Sequence, residues 1–170
     1  MKNIVVTFIG KDKAGLVDQL AQVVFAHQGN WLGSSMSHLA GQFAGIVQVE
    51  LPELTLAKFS LALGQLEDLS VVIQEGQSTA TDIEPQDLLN IAIVGNDRQG
   101  IVQEVTKALH SVDANIEQFS SVLESAPNTG QLLFRAQVTV LLPEHSSIEA
   151  LTDAIEELGD DVMVDVEYGS

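Results

Sequence analysis

Apolar positions along this chain change spacing in a fixed order. Ile4-Val5-Val6-Thr7-Phe8-Ile9 is a short β-branched run, so residues 3–9 predict a buried strand ending at Gly10. Leu16, Leu20, Val23, Val24 and His27 then share one stripe of a helix over 13–28, with Gly29 as the residue that stops it. Asn30–Leu39 mixes polar and apolar positions, whereas Phe43, Val47, Val49 and Leu51 alternate with Gln48 and Glu50 as a strand with one buried face does. Pro52-Glu53 opens a second helix, striped by Leu56, Phe59, Leu63 and Leu66. Leu69–Gln74 follows as a short strand.

The order then starts again. Leu88–Val94 reads as a strand, Ile101, Val105, Leu109 and Val112 stripe a helix, and Asn115–Leu123 is another mixed strand. Leu133–Leu142 alternates. Ser146-Ser147-Ile148-Glu149 fits a capping box before a helix carrying Ile148, Leu151, Ile155 and Leu158, and Val162, Val164 and Val166 make the last strand. Gly10, Asp12, Gly15 and Asn30 recur as Gly95, Asp97, Gly100 and Asn115 at a shift of 85. Beyond the longer hairpin loop at Ser125–Gly130 the shift becomes 91, as in Phe43 and Phe134. Each half is therefore β-α-β-β-α-β, an α+β fold of the ferredoxin-like kind, with both helices on one face of an antiparallel sheet. The predicted domains are 1–75 and 87–170, joined by a polar linker at 76–86 that carries Gly76 and Pro85. Units of this size bury a modest share of their surface, and each sheet leaves one face to be covered. They are expected to lean on each other or on a partner, a homodimer included.

Charge narrows the partners. The chain has 24 acidic and 7 basic residues, a formal net charge of −17. Residues 1–85 hold 9 acids and 4 bases and residues 86–170 hold 15 and 3, so the second half is the one expected to face a basic protein surface. No basic patch is available to drive binding to a phosphate backbone, so direct contact with DNA or RNA is not expected. Cysteine is absent, which excludes disulfides, thiol catalysis and cysteine-ligated metals. The first residues do not resemble a signal peptide, and no apolar run reaches membrane-spanning length; the expectation is a cytoplasmic protein with no membrane contact.

No enzyme chemistry emerges. His27, His38, His110 and His145 have no equivalent positions in the two halves and no metal-ligand spacing. Glu67-Asp68, Glu156-Glu157 and Asp160-Asp161 lack the ligand alternation of a calcium loop and read as solvated turns. Gly10 to Val17 and Gly95 to Val102 have neither the phosphate-loop Lys-Ser/Thr nor the dinucleotide glycine pattern. No metal, no cofactor and no catalytic residues are expected.

A small zwitterion suits these loops better. A glycine turns the chain out of each strand, Asp12 or Asp97 follows as a candidate helix cap or ammonium acceptor, and Gly15 or Gly100 leaves the helix entrance bare. The entrance offers free N–H groups to a carboxylate. Asn30 and Asn115, opening the next strands, bring an amide that both donates and accepts.

The pattern of strand, Gly-x-Asp-x-x-Gly-Leu/Ile-Val, helix and then Asn-Trp or Asn-Ile resembles the ACT domain, a ferredoxin-like regulatory module. Two such modules with little else resemble the repressors of the glycine cleavage system and their relatives. The resemblance implies an amino-acid effector, glycine favoured, near the first strand–helix loop and often at an interface between modules. It places ligand contacts at Gly10, Asp12, Gly15 and Asn30, and at Asn96, Asp97, Gly100 and Asn115. It also implies action on transcription through a DNA-binding regulator. A ligand-free interaction adaptor, or a detached regulatory subunit of a metabolic enzyme, is the alternative. Lys11 stands where the second loop has Asn96, so the two loops need not bind alike.

Overall fold

The computed structural model describes residues 1–76 and 87–169, and the predicted linker lies outside these apart from Gly76. The chain divides into two compact units, Met1–Ala80 and Thr81–Ser170. In the first, β1 (Lys2–Lys11), α1 (Leu16–Ala26), β2 (Asn30–Leu39), β3 (Gln42–Leu51), α2 (Leu56–Gly64) and β4 (Leu69–Glu75) follow in order. A single 3-10 turn, Glu53–Thr55, leads into α2. In the second, β5 (Leu88–Asn96), α3 (Ile101–Ser111), β6 (Asn115–Ser125), β7 (Leu132–Leu141), α4 (Ile148–Glu156) and β8 (Met163–Tyr168) repeat them. The sheets run β2-β3-β1-β4 and β6-β7-β5-β8, and every pairing is antiparallel. Both units are thus the ferredoxin-like α+β plait.

Period-two alternation sends Ile4, Val6 and Phe8 of β1, with Val47, Val49 and Leu51 of β3, into the first core, where Leu16, Leu20, Val24, Phe59 and Leu63 of the helices meet them. Ile91, Ile93, Val138 and Val140 meet Val105, Leu109, Leu151 and Ile155 in the same way in the second. No polar side chain is buried among the described residues.

Several local expectations change. Gly29 does not end α1 in the left-handed region; Gln28 does (φ 59°), as Asp113 does after α3 (φ 55°). The Gly29 N–H then donates to the Val24 carbonyl at 2.9 Å. A Cβ on Gly29 would lie 2.9 Å from Val24 Cγ1 and 3.2 Å from Val49 Cγ1, so close packing explains this glycine. The alternation of β2 is broken by a bulge between Trp31 and Gly33, which puts Trp31 and Met36 against the same core despite their odd spacing. The same bulge recurs between Ile116 and Gln118. Ser147, not Ser146, caps α4, accepting from the Ala150 N–H at 3.1 Å, while Ser146 Oγ donates to the Val112 carbonyl. It is a single cap rather than a reciprocal box.

Candidate ligand-binding loops

Each loop begins inside its sheet. Gly10 does not turn the chain; it stays in β1, paired with Phe43 on one side and Leu69 on the other. Its lack of a side chain answers a close approach, since a Cβ would stand 2.3 Å from the Asp68 carbonyl oxygen. Gly95 occupies the same place with more room, the nearest atom being Val162 Cγ2 at 3.3 Å. The chain leaves the sheet one residue later. Asp12 N–H donates to the Gly41 carbonyl (3.0 Å) and Asp97 N–H to the Leu132 carbonyl (2.9 Å), fastening each loop to its neighbouring hairpin.

The aspartates do not cap the helices. Gly15 and Gly100 are the N-caps, both left-handed at φ 89° and 88°, and neither helix start receives a side-chain hydrogen bond. Positive φ is why glycine stands at these two positions. The first-turn N–H groups of α1 and α3 lack intrahelical partners, although the Ile101 N–H donates to the Arg98 carbonyl at 3.3 Å; Asp12 and Asp97, in the preceding loops, are exposed.

Asn30 and Asn115 are not brought to the loops. Asn30 pairs with Glu50 while Lys11 pairs with Gln42, so eight residues of β3, about 26 Å of strand, separate them. Asn115 pairs with Leu141 and Asn96 with Leu133, the same interval. A helix returns the chain to the opposite end of the sheet, so the residue after it starts far from the loop before it.

His38 takes a place by the first loop instead. Its Nε2 lies 3.5 Å from Asp12 Oδ2. Counting the hairpin register would have found it: His38 faces Phe43, which faces Gly10.

The loops differ most in what ties them down. In the first, Lys13 Nζ bonds Asp68 Oδ2 at 2.8 Å, an exposed pair. In the second, Arg98 sits at the equivalent position and reaches further. Its Nε and Nη2 donate to Glu104 Oε2 at 3.2 and 2.6 Å, and Nη2 also donates to the Leu158 carbonyl at 3.0 Å. Nη1 lies 3.8 Å from Asp161 Oδ1. Asp161 is an exposed residue of the turn before β8, and its Oδ2 accepts from the Asn96 N–H at 2.8 Å. That hydrogen bond, helped by Arg98, holds the Asp161 carboxyl below the usual aspartate range. Glu104 chiefly, with Asp161 in support, raises Arg98. Helix α3 and the turn between α4 and β8 are thus tied to this loop through one guanidinium.

Residues 2–84 match the family model of the ACT domain. No curated protein matches the chain. Among solved structures, an unknown protein from Galdieria sulphuraria is 27% identical, with 99% of each chain covered and a TM-score of 0.78. A protein provisionally identified as a glycine cleavage system transcriptional repressor is 14% identical over 98% of this chain and 96% of its own, with a TM-score of 0.69. At that identity the likeness establishes the fold.

Proposed function

We propose that the chain, whose first unit matches the ACT-domain model and whose second repeats the same plait, is a tandem ACT-domain protein that senses a small amino acid at its strand–helix loops and passes the signal to a protein partner. One observation carries the reading. At Gly15 and Gly100 the helices open on left-handed glycines with no side-chain cap, next to aspartates free of capping duty. A zwitterion needs both halves of that arrangement: uncovered N–H groups for its carboxylate and a carboxylate for its ammonium. The ligand set is Gly10, Asp12 and Gly15 in the first loop, and Asn96, Asp97 and Gly100 in the second. The first loop is the more open of the two, because Asp161 already holds the Asn96 N–H.

Glycine is the favoured ligand, on the likeness to repressors of the glycine cleavage system. With a net charge of −17 the chain acts on a DNA-binding regulator and not on DNA. The second reading, an adaptor without a ligand, draws support from the exposed apolar sheet face of the first unit. Calorimetric titration of the whole chain with a panel of amino acids separates them. Saturable heat with glycine or another small amino acid, weakened by Asp12→Asn, supports the sensor. Silence for every amino acid at millimolar concentration leaves the adaptor.

A further inference from the structure

The turn that enters the last strand is built differently in the two units. It runs Leu66-Glu67-Asp68-Leu69 in the first and Leu158-Gly159-Asp160-Asp161-Val162 in the second. Leu66 and Leu158 pack on their cores, and Leu69 and Val162 are buried in them beside the strand glycines Gly10 and Gly95. Asp68 and Asp161 therefore stand at equivalent places, and Gly159 is an added residue. A Cβ on Gly159 would lie 2.7 Å from Asp161 Oδ1, so the insertion leaves room for that carboxylate. The two aspartates then part. Asp68 Oδ2 accepts from the Lys13 ammonium at 2.8 Å. Asp161 Oδ2 instead accepts from the backbone N–H of Asn96 at 2.8 Å, and Arg98 Nη1 lies 3.8 Å from the other oxygen. The Asn96 hydrogen bond keeps the Asp161 carboxyl below the ordinary aspartate range, so it is charged at neutral pH.

Resting on the sensor reading above, we propose that Asp161 is a built-in ligand of the second loop. It holds the Asn96 N–H with the same chemical group that an amino acid would bring, so glycine fills the first loop well before the second. A carboxylate arriving at Asn96 meets a like charge. It must also displace a carboxylate that the chain itself supplies at high effective concentration. At Lys11, the equivalent position, the neighbouring aspartate is drawn off by Lys13. One charge-assisted hydrogen bond corresponds to about ten- to a hundredfold in affinity, enough to separate two loops that share their glycines and their aspartate. Asp161 is thus the residue that decides which loop takes ligand.

The test is a glycine titration of the ¹⁵N-labelled full chain, followed at the backbone amides of both loops. In the wild type the second loop's dissociation constant should exceed the first loop's by about tenfold or more. Asp161→Ala should close that gap, with saturable shifts at Asn96 to Gly100 at the glycine concentration that fills the first loop. Asp161→Asn keeps an acceptor for the Asn96 N–H but drops the charge, and should fall between. Asp160→Ala removes the same charge from the adjacent exposed residue and should leave the gap as it is. If Asp161 merely braces the turn, Asp161→Ala will lower the melting temperature and leave the second loop silent toward glycine. That result, or wild-type loops that fill together, would overturn the proposal, while a responding first loop would keep the sensor reading. Silence at both loops in every one of these proteins would overturn both.

Discussion

The two units share a topology and a sheet register, yet the same positions do different work in each. The first loop is held by one exposed lysine–aspartate pair; the second is clamped by an arginine that reaches a helix, the carbonyl of Leu158 and the turn before β8. The sheet faces differ in parallel, apolar in the first unit and ion-paired in the second. A duplicated fold can keep its core spacing while each copy changes its exposed chemistry, because the core tolerates little change in volume and the surface tolerates much. The open loop and the uncovered face both belong to the first unit.

The largest expected difference between the units lies at the paired strand glycines. Gly10→Ala forces a methyl group into the Asp68 carbonyl at 2.3 Å and should cost the first unit about 2–3 kcal/mol, seen as a lower urea midpoint. Gly95→Ala meets only Val162 Cγ2 at 3.3 Å and should cost less than about 1 kcal/mol. Equal losses would break the comparison.

Next in size is a change that should treat the units alike. Gly15→Ala and Gly100→Ala face open space but sit at φ 89° and 88°. Each should destabilise its unit by about 1–2 kcal/mol through left-handed strain. Helix propensity alone, which favours alanine, would have the opposite sign. A gain in thermal midpoint from either substitution would contradict the backbone assignment.

Smaller again is the clamp. Arg98→Ala should speed amide exchange at Asn96 and lower the melting temperature more than Lys13→Ala does, since Lys13 loses one exposed ion pair. Smallest is the acid response. The Asp161 carboxyl titrates below its unfolded value, so its contribution is fully present above the ordinary aspartate range. It is lost as pH falls below about 4, through the lowered folded value. The protection factor of the Asn96 amide should fall in that window, and Asp161→Asn should abolish the fall.

Much of this was legible in the residues. The shift of 85 and then 91 placed both plaits and both loops, because hydrophobic period and glycine position are local signals. The roles of the glycines were not legible: Gly10 and Gly15 look alike in sequence, but one answers a neighbouring strand and the other its own φ. Asn30 and Asn115 suited the chemistry, yet a strand's far end lies beyond the reach of a ligand the size of glycine. His38 and Asp161 were missed because each reaches its loop from a distant element, His38 through hairpin register and Asp161 through the turn before β8.

The central claim, that an amino acid binds at the strand–helix loop, is tested most directly by titrating ¹⁵N-labelled protein with glycine and following backbone amide shifts. Saturable shifts centred on Asp12 to Val17, larger than those at Asp97 to Val102 and reduced by Asp12→Asn, are the predicted result. Saturable shifts confined to other parts of the chain, or none at millimolar glycine, would contradict it.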